Sequence, residues 1–321
     1  MAQSLNLVFA GTPRFAVPTL EALVGVGHRV SLVVTQPDKP RGRGMEVTAS
    51  PVKHSALARN LTIAQPERIK NNPEFQSQIA EIQPDAIIVV GYGRIIPQWM
   101  IALPRYGNLN VHASLLPKYR GAAPIQWAIA EGETVTGVTI MRIDAGLDTG
   151  DVLTQRELSI GPDDTAETLA PRLATMGAVL MVETLQKLSE DKIRAVPQDH
   201  SRATLAPILQ KSDGRIDFHR HATQIRNRLR GFQPWPGAFT TFRGKNLHIW
   251  SAQVVPVDSV PERLRPAELA NVDGLLLVGC GQGTALELHE VQLEGKKRMS
   301  GRDFANGHRP FAGETLGEAR P

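Results

Sequence analysis

The chain nearly lacks cysteine, with Cys280 alone in 321 residues. One thiol excludes an intrachain disulfide and any cysteine-built metal cluster, and it points to a reducing compartment. Its ordinary role is that of a small core hydrophobe. Long apolar runs are missing as well: none reaches the roughly 18 residues that a membrane-spanning helix needs. The start, Met1-Ala2-Gln3-Ser4, has neither the charged region nor the cleavage site of a secretory signal. A cytoplasmic protein is expected. Repeats with a period of about 20 to 50 residues are absent, which excludes solenoids and arrays. The first strand-like run ends in Gly11-Thr12-Pro13 and not in G-x-G-x-x-G, so no dinucleotide fingerprint is present. Pro13 also leaves fewer free backbone N–H groups to hold an anion at that turn.

What the chain does have is size and an uneven charge. Its 321 residues exceed one ordinary compact domain, so two domains are expected, each able to bury a core. Net charge is +4, from 36 basic and 32 acidic residues. Residues 211–321 hold 16 Lys and Arg against 12 Asp and Glu, whereas residues 1–210 hold 20 of each. The whole excess lies in the C-terminal third, which suits a module that touches a polyanion and equally suits a solvated basic face.

Uniformly apolar runs at Leu5 to Ala10, Val30 to Thr35 and Asp85 to Val90 predict strands covered on both faces, with a short third strand at Ile63. Helical patterns at Phe15 to Leu23 and Asn72 to Ile82 alternate with them. This order predicts an α/β fold, a Rossmann-like, mostly parallel twisted sheet. Beyond it come a helix at Ala122 to Ala130, strand-like runs at Thr136 to Ile143 and Val152 to Leu158, and a long helix starting near Asp164 as N-cap. We expect the first domain to span residues 1–190. Residues 191–208, polar and broken by Pro197 and Pro207, are expected to form a linker. A helix at His221 to Leu229 and short strands at Phe239 to Phe242, Leu247 to Val255, Leu275 to Val278 and Ala285 to Leu293 predict a small OB-like β-barrel over residues 209–321.

The chemistry is expected at one strand end. In Asn108-Leu109-Asn110-Val111-His112 alternation places Asn108, Asn110 and His112 on one face. Ser114 to Gly121 reads as the loop leaving the carboxyl end of that strand, where α/β sheets bind ligands. An imidazole shuttles or donates a proton, a carboxamide donates to an oxygen that becomes anionic, and a nearby carboxylate holds the imidazole protonated and oriented. Asp148, in the loop 144–151, is the candidate carboxylate, with Asp144 and Asp151 competing for the role. Such parts suit acyl transfer without a covalent intermediate, and no metal is required. Lys39, Arg41 and Arg43, interleaved with Pro40, Gly42 and Gly44, form an electropositive finger. Arg226, Arg228 and Arg230, with Lys296-Lys297-Arg298, add positive charge to the C-terminal part, of the kind that contacts phosphates.

The run from Asn110 to Ile125, with Leu147-Asp148-Thr149-Gly150-Asp151, resembles the two signatures of enzymes that use 10-formyltetrahydrofolate. Phe9 to Pro13, Thr35 to Pro40 through Gly44, Ser50 to Lys53 and Pro234-Trp235-Pro236-Gly237 narrow the resemblance to the methionyl-tRNA formyltransferase family. It implies formyl transfer to initiator methionyl-tRNA, with 10-formyltetrahydrofolate as donor. It also implies Asn110, His112 and Asp148 as the catalytic trio and Ser114, Leu115, Leu116 and Pro117 as the folate-contacting loop. Lys39, Arg41 and above all Arg43 would meet the tRNA acceptor end. Two departures, Asp217-Phe218 and Gly231-Phe232-Gln233, touch packing or tRNA contact. The alternatives are formyl transfer to a small amine such as glycinamide ribonucleotide, hydrolysis of formyl-folate, and a non-catalytic tRNA- or folate-binding module. Size and the absence of heptads point to a monomer.

Overall fold

The computed structural model describes residues 4–41, 46–261 and 264–317. The chain forms two compact units. The first comprises residues 1–124, 135–159 and 170–207, and the second residues 125–134, 160–169 and 208–321.

In chain order the first sheet and its helices are β1 (Asn6–Gly11), α1 (Val17–Gly25), β2 (Arg29–Val34), β3 (Lys39–Arg41), β4 (Glu46–Thr48), α2 (Pro51–Leu57), β5 (Ile63–Ala64), α3 (Pro73–Ile82), β6 (Ala86–Val90), α4 (Gln98–Ile101), β7 (Asn108–His112), α5 (Pro124–Ala130), β8 (Val135–Arg142), β9 (Val152–Ser159) and α6 (Ala166–Ser189). The order across the sheet is β5-β2-β1-β6-β7-β8-β9. Pairing is parallel from β5 through β7 and antiparallel for β7–β8 and β8–β9. The expected mostly parallel sheet is there, and its two-sided burial explains the apolar strands. Val8, Ala10, Leu32, Val34, Ile87 and Val89 pack with Phe75 and Ile79 of α3 on one face. The alternate residues Leu7, Phe9, Val33 and Ile88 are equally buried.

Local chemistry fixes the helix starts. Ser50 accepts from Lys53 N ahead of Pro51, and Asn72 accepts from Phe75 N ahead of Pro73. Both pair a short polar cap with proline at the first helical position. The start of α6 differs from the expectation at Asp164. Thr165 Oγ1 accepts from Thr168 N while Thr168 Oγ1 accepts from Thr165 N, so Thr165 is the cap. Asp164 instead accepts from Gly161 N and Thr168 Oγ1.

The second unit contains α7 (Ala222–Gly231), β10 (Phe239–Phe242), β11 (Lys245–Val254), β12 (Leu269–Val272), β13 (Leu275–Gly279), β14 (Ala285–Leu293), β15 (Met299–Ser300) and α8 (Gly301–His308). Its antiparallel sheet runs β10-β11-β14-β13-β12, with β15 on β14. Register shifts between Ile249 and Ala252 bend β11, and the sheet curls into a half-barrel because a bulge raises local twist. Ile225 and Leu229 of α7 with Phe242, Leu247, Val278, Leu288 and Phe304 fill its concave face. Cys280 belongs to this core, where burial pushes its thiol up to about 12. Helix α5 packs on α7: Trp127 meets Phe232 edge-on at 5.4 Å, and a Cβ on Gly231 would lie 2.6 Å from Gln126 O.

Of residues 191–208, expected from composition to form a linker, 191–207 fall within the first unit and are hydrogen-bonded to the rest of it. Val196 exchanges both backbone bonds with Val152 at 2.8 Å, and Arg120 N and O bind Thr204 O and Ala206 N at 2.9 and 2.7 Å. Proline and polarity report a lack of secondary structure, and they carry no information about such long-range pairing.

Candidate active site

The site is built on the carboxyl end of β7. Leu109 and Val111 point into the buried face, leaving the opposite face to Asn108, Asn110 and His112. Asn108 departs from the expected use of that face. Its Nδ2 donates to Met100 O at 2.8 Å and Ile101 O at 3.3 Å, satisfying carbonyls at the end of α4 that the helix leaves open. It is a buried structural group one pleat below the chemistry.

Asn110 and His112 do meet Asp148. Asn110 Nδ2 donates to Asp148 Oδ1 at 3.4 Å, and His112 Nδ1 lies 3.6 Å from Asp148 Oδ2. Gly121 N donates to the same Oδ2 at 2.8 Å. One carboxylate thus gathers a carboxamide, an imidazole and a backbone amide. The imidazole is 5% exposed and the carboxylate 16%. Two of these approaches are long, leaving room for a substrate oxygen to enter and tighten the set.

The state of the imidazole follows from its other nitrogen. His112 Nε2 sits 2.9 Å from Tyr119 O, and a carbonyl only accepts, so Nε2 carries hydrogen. The nitrogen facing Asp148 is therefore Nδ1. Unprotonated, it would set a lone pair against a carboxylate. Protonated, it forms an ion pair and becomes the one donor that the ring can offer to a reacting group.

Asp144, the first competitor for the carboxylate role, accepts from Gly146 N at 3.0 Å and Thr149 Oγ1 at 2.7 Å. It builds the loop, as an Asx turn does. Asp151 contributes its carbonyl to Arg142 N at 2.9 Å. Two glycines make the convergence sterically possible. At Gly121, with φ +123, a Cβ would fall 2.6 Å from Ala206 O, and at Gly150 one would fall 2.0 Å from Arg142 O.

The Ser114–Pro117 loop is closed on itself. Ser114 Oγ donates to Lys118 O, Thr139 Oγ1 donates to Ser114 O and accepts from Leu116 N, and Gln155 Nε2 donates to Leu116 O. Ser114 and Leu116 are buried, while Leu115 and Pro117 are partly exposed. The side-chain surfaces that this loop presents are those of Leu115 and Pro117.

Lys39 lies on the β3–β4 hairpin, with Nζ 3.3 Å from Gln36 Oε1. At its base Asp38 accepts from Lys53 at 2.5 Å and Gln65 at 2.8 Å, which holds the Asp38 carboxyl below the usual range. Arg43 lies outside the described residues, as does the side chain of Arg41.

The arginines of α7 are used inside the second unit. Arg226 pairs with Asp163 at 2.6 Å. Arg230 donates to Gly161 O, Asp164 O and Asn227 Oδ1. Arg228 lies over the rings of Trp127 and Phe232. A cleft of about 160 Å³ lined by Asp213, Asp217, Arg220 and Arg228 carries charges of both signs. Exposed cations remain at Lys296 and Lys297, and Arg298 stacks on Trp250 at 3.9 Å. We therefore expect Arg230→Ala to lower stability by about 1 kcal/mol, because part-buried acceptors lose their donor, without changing the salt dependence of polyanion binding. Lys296→Ala is expected to do the reverse, reducing the salt slope by about one unit. Thermal melts and binding isotherms over a salt series check both.

Arg120 and Gln198 escaped the sequence reading as site residues, although both lie against the Asp148 loop. Arg120 sits in the quoted signature. Gln198 carried no sequence signal, being one polar residue in a polar segment.

A family model described as formyl transferase matches residues 5–185, and one described as formyl transferase, C-terminal domain, matches residues 208–309. A methionyl-tRNA formyltransferase of Koribacter versatilis is 66% identical over 97% of this chain and 98% of its own. That of Acidobacterium capsulatum is 60% identical over 95% and 97%. Among solved structures, a sugar 3N-formyl transferase determined in the presence of dTDP and 5-N-formyl-THF superposes with a TM-score of 0.65 at 19% identity, over 92% of this chain and all of its own. That likeness shows the fold alone. With the first model taking in more than half of the chain and full-length relatives matching it nearly end to end, the chain belongs to the formyl transferase family.

Proposed function

We propose that this chain transfers the formyl group of 10-formyltetrahydrofolate to the α-amino nitrogen of methionine esterified to initiator tRNA, working as a cytoplasmic monomer. The observation that carries the reading is the convergence of Asn110, His112 and Asp148 within 3.4–3.6 Å at one strand end. Esterification removes the methionine carboxylate and lowers the amine's basicity, so more of it is neutral and able to attack. As nitrogen bonds to the formyl carbon, the formyl oxygen gains negative charge. Asn110 Nδ2–H and His112 Nδ1–H are the donors placed to receive that charge. A single donor of this type contributes about 2.7–4 kcal/mol to lowering the barrier. Asp148, facing Nδ1, takes the proton that the attacking amine releases and passes it to the folate nitrogen as the bond from the formyl carbon to that nitrogen breaks. The folate lies against Leu115 and Pro117 in the Ser114–Pro117 loop. Residues 1–190 supply the chemistry and residues 209–321 hold the tRNA.

The reading is tested by following 10-formyltetrahydrofolate consumption with initiator methionyl-tRNA, with glycinamide ribonucleotide, and with water as the only acceptor. Consumption with methionyl-tRNA alone is expected. Equal consumption with the small amine or with water would replace the reading.

Lys39, Arg41 and Arg43 meet the acceptor end of the tRNA. Arg43→Ala is expected to raise KM for methionyl-tRNA by about tenfold or more, in line with 1–3 kcal/mol per lost Arg contact, with folate affinity unchanged. An equal loss on a minimal acceptor that lacks the tRNA stem would contradict this assignment.

A further inference from the structure

Arg120 is a buried cation whose side-chain partners include no carboxylate among the described hydrogen bonds. It is 6% exposed. Its Nε and Nη2 both donate to Gln198 Oε1, at 3.1 and 2.7 Å, and Nη2 also meets His200 Nδ1 at 3.2 Å. A guanidinium only donates, so that histidine nitrogen accepts. Burying a charge is costly without strong partners, and this one is spent on the amide oxygen of a glutamine that is itself 7% exposed.

The other end of that glutamine identifies its use. Gln198 Nε2 donates to Asp148 O at 2.9 Å and to Gly150 O at 2.7 Å. The fork on Oε1 fixes which way the amide points and polarises it, which makes its N–H groups stronger donors. Asp148 stands at φ +51, a left-handed conformation uncommon outside glycine and tolerated by aspartate. Gln198 holds the segment that follows by donating to the carbonyls of Asp148 and Gly150.

Arg120 acts on the same aspartate a second time through the chain. Its backbone is pinned by Thr204 O and Ala206 N, and the following residue, Gly121, donates its N–H to Asp148 Oδ2. One segment, 198–206, thereby sets both the backbone and the carboxylate of Asp148. We infer that Gln198, oriented by the Arg120 guanidinium, is a positioning residue for formyl transfer, holding the Asp148 carboxylate against His112. The inference rests on the catalytic reading of Asp148 given above.

The test is a double-mutant cycle with the full-length chain. Gln198→Ala leaves Arg120 without its acceptor and endangers folding. Gln198→Glu keeps an acceptor for Arg120, removes the donors to Asp148 O and Gly150 O, and sets a carboxylate oxygen against those two carbonyls. Gln198→Glu is expected to lower kcat by about 10²-fold, the order of a 1 Å misplacement, with KM for both substrates close to the parent's and a melting temperature lowered by the loss of donors to the two carbonyls. In an Asp148→Asn background the same change is expected to add little, because both act through one carboxylate. Parent-like kcat in Gln198→Glu, or a full further loss in the Asp148→Asn background, would overturn the positioning role while leaving the catalytic reading intact. Parent-like kcat in Asp148→Asn would instead remove the catalytic reading and the inference with it.

Discussion

His112→Ala is expected to lower kcat by about 10²–10⁴-fold, the range for a positioned proton donor, while equilibrium binding of tRNA and of folate stays near the parent's. The ring is preset for its role. Tyr119 O holds Nε2–H at 2.9 Å and Asp148 faces Nδ1 at 3.6 Å, so no reorientation is needed when the formyl oxygen becomes anionic. Binding energy comes from elsewhere, because the ring is almost wholly enclosed and offers one hydrogen to a ligand. The loss therefore belongs to kcat. Alanine also strands Tyr119 O without its donor, at about 1–3 kcal/mol of stability, so melting curves must accompany the kinetics. Steady-state rates and separate binding isotherms for the two substrates check the split, and near-parent turnover would remove His112 from the mechanism.

Asp148→Asn is expected to cost a comparable 10²–10⁴-fold, by about the same proton-transfer contribution, although the side chain keeps its shape. The parent carboxylate accepts from Asn110 Nδ2 at Oδ1 and from Gly121 N at Oδ2, with His112 Nδ1 facing that second oxygen. A carboxamide has one oxygen and one NH2 group. If the oxygen keeps Gly121 N, the NH2 group opposes the NH2 of Asn110 and pushes it off the oxyanion position. If the oxygen turns to Asn110, the NH2 group faces an amide hydrogen and the imidazole. Either way the negatively charged oxygen that faces Nδ1 is gone. Single-turnover rates with saturating 10-formyltetrahydrofolate and methionyl-tRNA measure the loss, with melting curves alongside to separate it from a loss of stability.

Much of this was legible in the sequence because the signals were local. The buried strands β1, β2 and β6 announce themselves by having no polar face, and Asn72 and Pro73 by their capping chemistry. The same pairing of a polar cap with proline, at Ser50 and Pro51, marks α2. Alternation on β7 found Asn110 and His112. It also grouped Asn108 with them, since a period of two cannot tell a functional pleat from one that closes a helix end. The second half of the site was not legible in that way. Gln198 reaches Asp148 across 50 residues and Arg120 across 78, and a parallel bridge between Arg120 and Leu205 brings them together. No local pattern encodes that closure. The arginines of α7 show the opposite failure. Three cations on a helix read as a phosphate-facing surface, yet Arg226, Arg228 and Arg230 are taken up by a carboxylate, two rings and two carbonyls.

On the proposed mechanism transfer is direct: Asn110, His112 and Asp148 polarise the formyl group and none carries it. The alternative carrier within the site is the imidazole of His112. Rapid quenching of the enzyme during turnover with formyl-labelled 10-formyltetrahydrofolate, followed by intact-protein mass spectrometry, addresses it most directly. We predict label in folate and in formylmethionyl-tRNA at every time point, with the protein's mass unchanged. A protein species heavier by one formyl group, forming and decaying fast enough to lie on the path and absent from His112→Ala, would contradict the account.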